Sequence, residues 1–276
     1  MSRQVRPSLI AGSWYPGNPQ QLRQTIEQLF VQVSPTKIEG EVLGLISPHA
    51  GYVYSGQTAA YAYHTVRDQA FDTVVVISPV HRVPVGRFAI TSADAYQTPL
   101  GLVPLDQDLV HALADEVPVN RVDYDGEHSL EIQLPFLQVA LGEFSLLPVM
   151  IGESSFDLAA ELSEALVTVL SGTKALLVAS SDMHHIDNYD QVVRRDQVVI
   201  DAIQSFDLLQ VKKALSPWDC SVCGRIPVLT VMTAAQRLGA DSVSVLYHTN
   251  SGDVTGTRTP GQYTVGYLAA AFYQRS

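Results

Sequence analysis

Short, nearly continuous apolar runs separated by amphipathic stretches constrain this 276-residue chain more than any other feature of its sequence. Val42 to Ser47 and Thr73 to Ser78 carry almost no polar side chain, as expected of strands buried on both faces of a parallel sheet. Further strands are predicted over Arg87 to Ser92, Ser145 to Ile151, Ala175 to Ser180 and Ser242 to Tyr247. Between them, helical spacing predicts helices near Gly56 to Val66, Asp106 to Glu116, Ser129 to Leu141, Phe156 to Leu170, Asp190 to Phe206 and Ile226 to Leu238. An earlier helix is expected from about Pro19 to Val33, with Asn18 as N-cap, Pro19 in the first helical position and Gln21 placed to bond back. Strand-like segments between Pro84 and Gly101 leave no room for a crossover helix, which predicts an antiparallel excursion. The alternation argues for a single α/β domain over residues 1–276, a three-layer α/β/α sandwich on a mixed, mainly parallel sheet.

A 46% hydrophobic content is enough for a substantial core, but no apolar stretch approaches the roughly 18 to 20 residues that span a bilayer. The start, MSRQVRPS, has no apolar signal segment, so a cytoplasmic location is expected. A net charge of −11 disfavours nucleic acid and anionic lipid as partners, since both require clustered cations. The basic pairs Arg194-Arg195 and Lys212-Lys213 read as solvated helix faces. Two cysteines are too few for a disulfide-stapled fold.

The functional signal lies where strands end. One run closes on Ser47-Pro48-His49, the next on Ser78-Pro79-Val80-His81, and a later one on Ser180-Ser181-Asp182-Met183-His184-His185. Ligands of open α/β sheets bind outside the carboxyl ends of the strands, so these histidines point to one shared pocket. Proline fixes its own φ and extends its predecessor, which holds each Ser-Pro turn in one shape. Gly126-Glu127-His128-Ser129-Leu130-Glu131 reads as a helix start whose acidic residues face the positive end of the dipole, leaving His128 as a polar lining residue. Cys223 precedes a helix, where a thiolate is expected. A C-x-x-C with Cys220 is open to several readings: redox pair, buried inert thiol, or ligand and nucleophile beside His49 and His81.

Six motifs in order carry a resemblance: Ala11-Gly12-Ser13-Trp14-Tyr15-Pro16, Pro48 to Gly56, Gly126 to Glu131, Ser180-Ser181-Asp182, Cys223-Gly224-Arg225 and Asn250 to Gly256. Together they resemble the Memo family in its prokaryotic branch, also called AmmeMemoRadiSam system protein B. The resemblance implies a fold similar to the B subunit of class III extradiol dioxygenases, the LigB-like enzymes, which hold non-haem Fe(II) on two histidines and a glutamate. It also implies that His49, His81 and Cys223 are metal ligands, with Asp182 and His185 as further pocket residues and Tyr54 and His128 nearby. Cysteine in place of a carboxylate shifts the metal preference from Fe(II) toward copper, zinc or a differently tuned iron. Cys220 and His184 have no place in the family pattern.

Three functions follow as expectations. The first is a metal-dependent, oxidoreductase-like protein acting on an unknown small molecule, with Asp182, His128, His185 and Tyr54 serving the chemistry. The second is a non-catalytic module that binds a peptide or phosphorylated ligand, suggested by the adaptor role of animal relatives and by a helix start after Ser55-Gly56. The third is a hydrolase with Cys223 as nucleophile and a histidine as base. The system's name adds a companion A-type protein and a radical SAM protein as expected partners.

Overall fold

Capping and apolar spacing set the boundaries of the helices. The Asn18 side chain accepts the Gln21 amide and Pro19 occupies the first turn, so α1 runs Pro19–Val31 with Leu22, Ile26 and Phe30 buried. A computed structural model describes residues 4–82 and 84–276; the first three residues of MSRQVRPS lie outside the described residues. In chain order the elements are β1 (Val5–Arg6), α1, β2 (Gly40–Ser47), α2 (Tyr52–His64), β3 (Thr73–Pro79), β4 (Phe88–Thr91), β5 (Ala95–Thr98), β6 (Gly101–Pro104), α3 (Gln107–Glu116) and β7 (Val119–Val122). A 3-10 turn at Glu131–Gln133 leads into α4 (Leu134–Leu141), β8 (Ser145–Ile151), α5 (Asp157–Val169), β9 (Ala175–Ser180), β10 (His185–Ile186) and α6 (Tyr189–Gln204). The chain closes with α7 (Leu208–Leu215), α8 (Arg225–Arg237), β11 (Ser242–Asn250), α9 (Ser251–Thr255) and β12 (Thr264–Arg275).

The main sheet has the order β10-β12-β2-β9-β3-β8-β4-β7, with β11 also paired to β12. Its centre, β2-β9-β3-β8, is parallel, and every residue of β3 and β9 is buried. Antiparallel pairs flank it: β12 against β2 and β11 on one side, β4 against β8 on the other. The expected excursion is thus present, and a β5–β6 hairpin with β1 forms a separate three-stranded sheet. Helices α1, α2 and α4 pack together on one face, while α5, α7 and α8 pack together on the other. This is the expected mixed α/β architecture.

Two departures have physical reasons. Helix α2 begins at Tyr52, four residues before the expected Gly56, because Gly51 caps it and its carbonyl accepts the Tyr54 and Ser55 amides. The Tyr52 amide meanwhile donates to Trp14 O, so no free-amide cradle follows Ser55-Gly56. Strand β12 was not predicted at all. Its Ala269-Ala270-Ala271 segment has weak strand propensity, yet those small side chains are fully buried where α2, α6 and α8 approach the strand.

Register brings the strand ends together. Ser47 lies opposite Ser180 and Ile77 opposite Ala179, so the turns after β2, β3 and β9 leave the sheet side by side. Among the described residues, no helix is long and apolar enough to cross a membrane.

Candidate metal centre

His49, at the end of β2, is buried, and its backbone amide donates to Asp182 Oδ1 at 2.7 Å. Its Nδ1 lies 3.0 Å from Ser180 Oγ. The Ser180 hydroxyl already donates to Ser129 O at 2.6 Å and accepts from Gln133 Nε2 at 2.8 Å. Only its acceptor capacity remains for His49, so the network assigns the proton to Nδ1 and leaves the Nε2 lone pair facing inward. At Nε2 stands Cys223 Sγ, 3.1 Å away.

Glu127 does the same for His81. It accepts the His81 amide at 2.6 Å on one oxygen and lies 3.0 Å from His81 Nδ1 with the other, which turns His81 Nε2 toward the pocket. That carboxylate oxygen also accepts the His128 and Ser129 amides. Burial alone would raise the Glu127 carboxyl, but the hydrogen bonds from His128 and His81 outweigh it and hold the group ionised far below the usual carboxylate range. The helix-start reading of Glu127 is therefore replaced: it orients a histidine 46 residues away. Glu131, read the same way, instead binds Arg6, Ser8 and Tyr15 and ties down the N-terminal segment.

Cys223 reaches the centre because Gly224 has no side chain. A Cβ on Gly224 would sit 2.4 Å from Ser181 Cβ and 2.5 Å from Ser180 O, so any other residue would push the start of α8 off the β9 turn. The Asp182 amide donates to Cys223 Sγ at 3.3 Å. The expected thiolate is not what this environment favours. Burial and the neighbouring Asp182 push the Cys223 thiol well above its ordinary value despite the helix N-terminus beyond it. In this form the thiol donates its proton to the His49 Nε2 lone pair.

The ligand atoms of His49, His81 and Cys223 all lie within 4.8 Å of one another. The same holds for His81, Glu127 and His128. Imidazole centroids are 5.1 Å apart for His49 and His81 and 4.9 Å for His81 and His128, and the Trp14 ring lies 4.4 Å from that of His128, tilted by 48°. His128 Nδ1 is 2.9 Å from Glu127 Oε1 but not aligned to it, and both this atom and His185 Nε2 are buried without a hydrogen-bond partner. Burial, then the charge of neighbouring histidines, pushes His49 well below its ordinary value and His185 down to about 4. Burial raises the Asp182 carboxyl to about 7, against the opposing amides of His49 and Ala50.

A cavity of about 590 Å³ opens over this cluster. His49, His81, His128, Asp182, His185 and Tyr54 all line it, so the structure collects every pocket residue expected from the sequence except Cys223 on this wall. Cys223 lines an adjacent cavity of about 500 Å³, together with Arg225 and Glu153. Tyr54 stands half-exposed at the mouth, at 45%. His184 is not in the cavity; it pairs with Asp196 behind it. Sequence reasoning missed Tyr263, just before the unpredicted β12, and Tyr267, buried on that strand, both of which line the cavity, and it missed Ser180 and Glu127 as the groups that orient the histidines. The Asn250 to Gly256 motif becomes α9, capped by Asn250 on the Asp253 amide and contributing Ser251 and Thr255 to the wall.

Comparison with known proteins gives this geometry its context. The family model described as "Memo-like protein" matches residues 6–271. A MEMO1 family protein of Pyrobaculum aerophilum is 33% identical over 282 residues, covering 98% of this chain and 99% of that one. Its counterpart in Archaeoglobus fulgidus is 35% identical over 271 residues, covering 97% and 99%. Among solved structures, an uncharacterized protein of Escherichia coli K12, JW3007, matches with a TM-score of 0.51 over 82% of this chain and 99% of that one. At 14% identity this last likeness concerns the fold alone, and it is consistent with the LigB-like architecture that the resemblance implies. With a family match that takes in every motif around the pocket, and with relatives aligned along nearly their whole length, this chain belongs to the Memo family.

Proposed function

We infer that the cavity is the site of a metal-dependent oxidoreductase acting on a small molecule, with one transition-metal ion held by His49 Nε2, His81 Nε2 and Cys223 Sγ. The observation that carries this reading is the mutual approach of one ligand atom from each of His49, His81 and Cys223 beside an open cavity, with Nδ1 of each ring already facing Ser180 or Glu127. Committing Nδ1 to a hydroxyl or carboxylate is how proteins prepare imidazole ligands. Two imidazoles suit iron, copper or zinc, the sulfur leans the set toward copper, zinc or a differently tuned iron, and when bound such an ion would supply a Lewis acid and, for iron or copper, a one-electron couple.

The chain's own residues divide the remaining work. Asp182, near neutrality between its two forms, holds or releases a proton at the cavity wall; a cation beside it favours the carboxylate. His128 and His185 line the cavity, where their rings meet the substrate. Trp14, Tyr54, Tyr263 and Tyr267 form the walls that exclude water and receive its apolar part. The nucleophile reading is less well supported, because a buried thiol held protonated attacks poorly. The phospholigand reading loses its proposed anion cradle with the earlier start of α2.

The test is metal content by mass spectrometry on untagged protein, for wild type, His49→Ala and Cys223→Ser. The wild type is expected to carry about one ion per chain and each variant at most about a tenth of that, as loss of a ligand in a three-residue set implies. Equal, substoichiometric metal in all three would overturn the reading.

A further inference from the structure

The 3-10 turn Glu131–Gln133 sends two side chains to opposite tasks. At three residues per turn, side chains two apart point roughly 120° away from each other, so Glu131 meets the N-terminal segment while Gln133 meets the ends of β2 and β9. Gln133 is buried, and the proposed function leaves it without a role. Its Nε2 donates to Ser180 Oγ at 2.8 Å and to Pro48 O at 3.1 Å, with Ser47 O also in reach at 3.4 Å. Its Oε1 accepts the hydroxyl of Tyr63, from α2, at 2.7 Å. Chemistry fixes which amide atom is which: Pro48 O and Ser47 O only accept, so the atom that faces them carries protons and is nitrogen. One primary amide thus holds both the hydroxyl behind the His49 ring and the carbonyl of the residue that precedes His49 in the chain.

We propose that Gln133 is the positioning residue of His49. Through Ser180 it fixes the rotation and tautomer of the ring, and through Pro48 it fixes the backbone from which the ring projects, while Tyr63 holds the amide itself in place. The hydrogen-bond count runs along the chain of groups. Gln133 Nε2 offers only protons, so Ser180 Oγ accepts there; Ser129 O offers only lone pairs, so the single Ser180 proton goes to it at 2.6 Å. Ser180 is left with one lone pair, which His49 Nδ1 fills as a donor at 3.0 Å, and His49 Nε2 then faces Cys223 Sγ at 3.1 Å. Every member of this chain is buried, so no exposed hydroxyl or carbonyl turns to water instead. The consequence for an ion rests on the metal-centre reading, whereas the state of the ring does not. Glutamine suits position 133 where glutamate does not, since a carboxylate there would face two carbonyl oxygens.

The test reads the ring and the ion separately, on the intact chain. In metal-free protein labelled with 15N-histidine, NMR is expected to show wild-type His49 as a single Nδ1–H tautomer with a slowly exchanging ring proton. Gln133→Met, close in volume but without a donor, is expected to speed that exchange about tenfold and to leave the His81 ring, held by Glu127, unchanged. With zinc in competition with a chelator, Gln133→Met is expected to weaken binding about tenfold. Ser180→Ala is expected to weaken it at least as much, and the double variant by less than the product of the two losses, because Gln133 acts through Ser180. A merely structural role would make the losses multiply. Tyr63→Phe, which frees the amide without removing it, is expected to give a smaller change in the same direction and serves if Gln133→Met fails to fold. A wild-type His49 protonated on Nε2, an unchanged exchange rate in folded Gln133→Met, or losses that multiply would overturn the proposal. Failure of the wild type to bind zinc would overturn the metal centre instead, and the ring measurement would still decide the role of Gln133.

Discussion

An imidazole offers a metal only the nitrogen that carries no proton, so the group behind each ring decides what the ring can do. Ser180 and Glu127 are those groups here, and Glu127 has the larger effect because it is a charge that also gathers the His81, His128 and Ser129 amides. Glu127→Gln keeps the size but loses the charge. It is expected to weaken metal binding by about 10- to 100-fold with little change in the other ligands, measured by competition with a chelator of known affinity. His49, His81 and Asp182 were legible in the sequence because each follows a buried apolar run and a rigid turn. Glu127 was not, since a carboxylate near a helix start has a sufficient local explanation and its real partner is far away in the chain. Gly51, with an ordinary φ of −57°, serves as the cap of α2.

Elements that are buried on both sides announce themselves through uniform composition, which is why β3, β8 and β9 could be placed to within a residue. Strand β12 escaped because helices press on it and only small side chains fit, so its composition looks like that of a helix. The junction between β9 and α8 shows how close packing at the element scale serves the site. Gly224→Ala must separate two backbones now in contact. It is expected to cost about 1–3 kcal/mol of stability by overpacking and to lower metal occupancy in the folded fraction, read by thermal melting and metal content together.

Across the whole molecule, the N-terminal segment is held against the site by a buried ion cluster. Arg6 pairs with Glu131 and lies 3.4 Å from Asp125, and it donates to Glu127 O at 2.7 Å. Removing one member strands the other charges, so Arg6→Met is expected to destabilise the fold by about 3–5 kcal/mol in denaturant unfolding. Burial alone would raise the Glu131 carboxyl, but Arg6 and the hydrogen bonds from Ser8, Leu9 and Tyr15 hold it below its unfolded value. A depressed carboxyl stabilises the fold fully above the unfolded value, and that contribution is lost as pH falls through the folded one. Acid unfolding of the wild type should therefore steepen below about pH 4, and Arg6→Met should unfold at higher pH. None of this was visible in the sequence, because Arg6 and Glu131 are 125 positions apart.

The central claim is that the ion sits on two imidazoles and one sulfur. X-ray absorption at the metal edge of the loaded protein measures this directly. With zinc as the probe, the account predicts one sulfur neighbour at about 2.3 Å and nitrogen neighbours at about 2.0–2.1 Å, the sulfur vanishing in Cys223→Ser. A first coordination sphere of nitrogen and oxygen without sulfur, as the His81, Glu127 and His128 group would give, would contradict it.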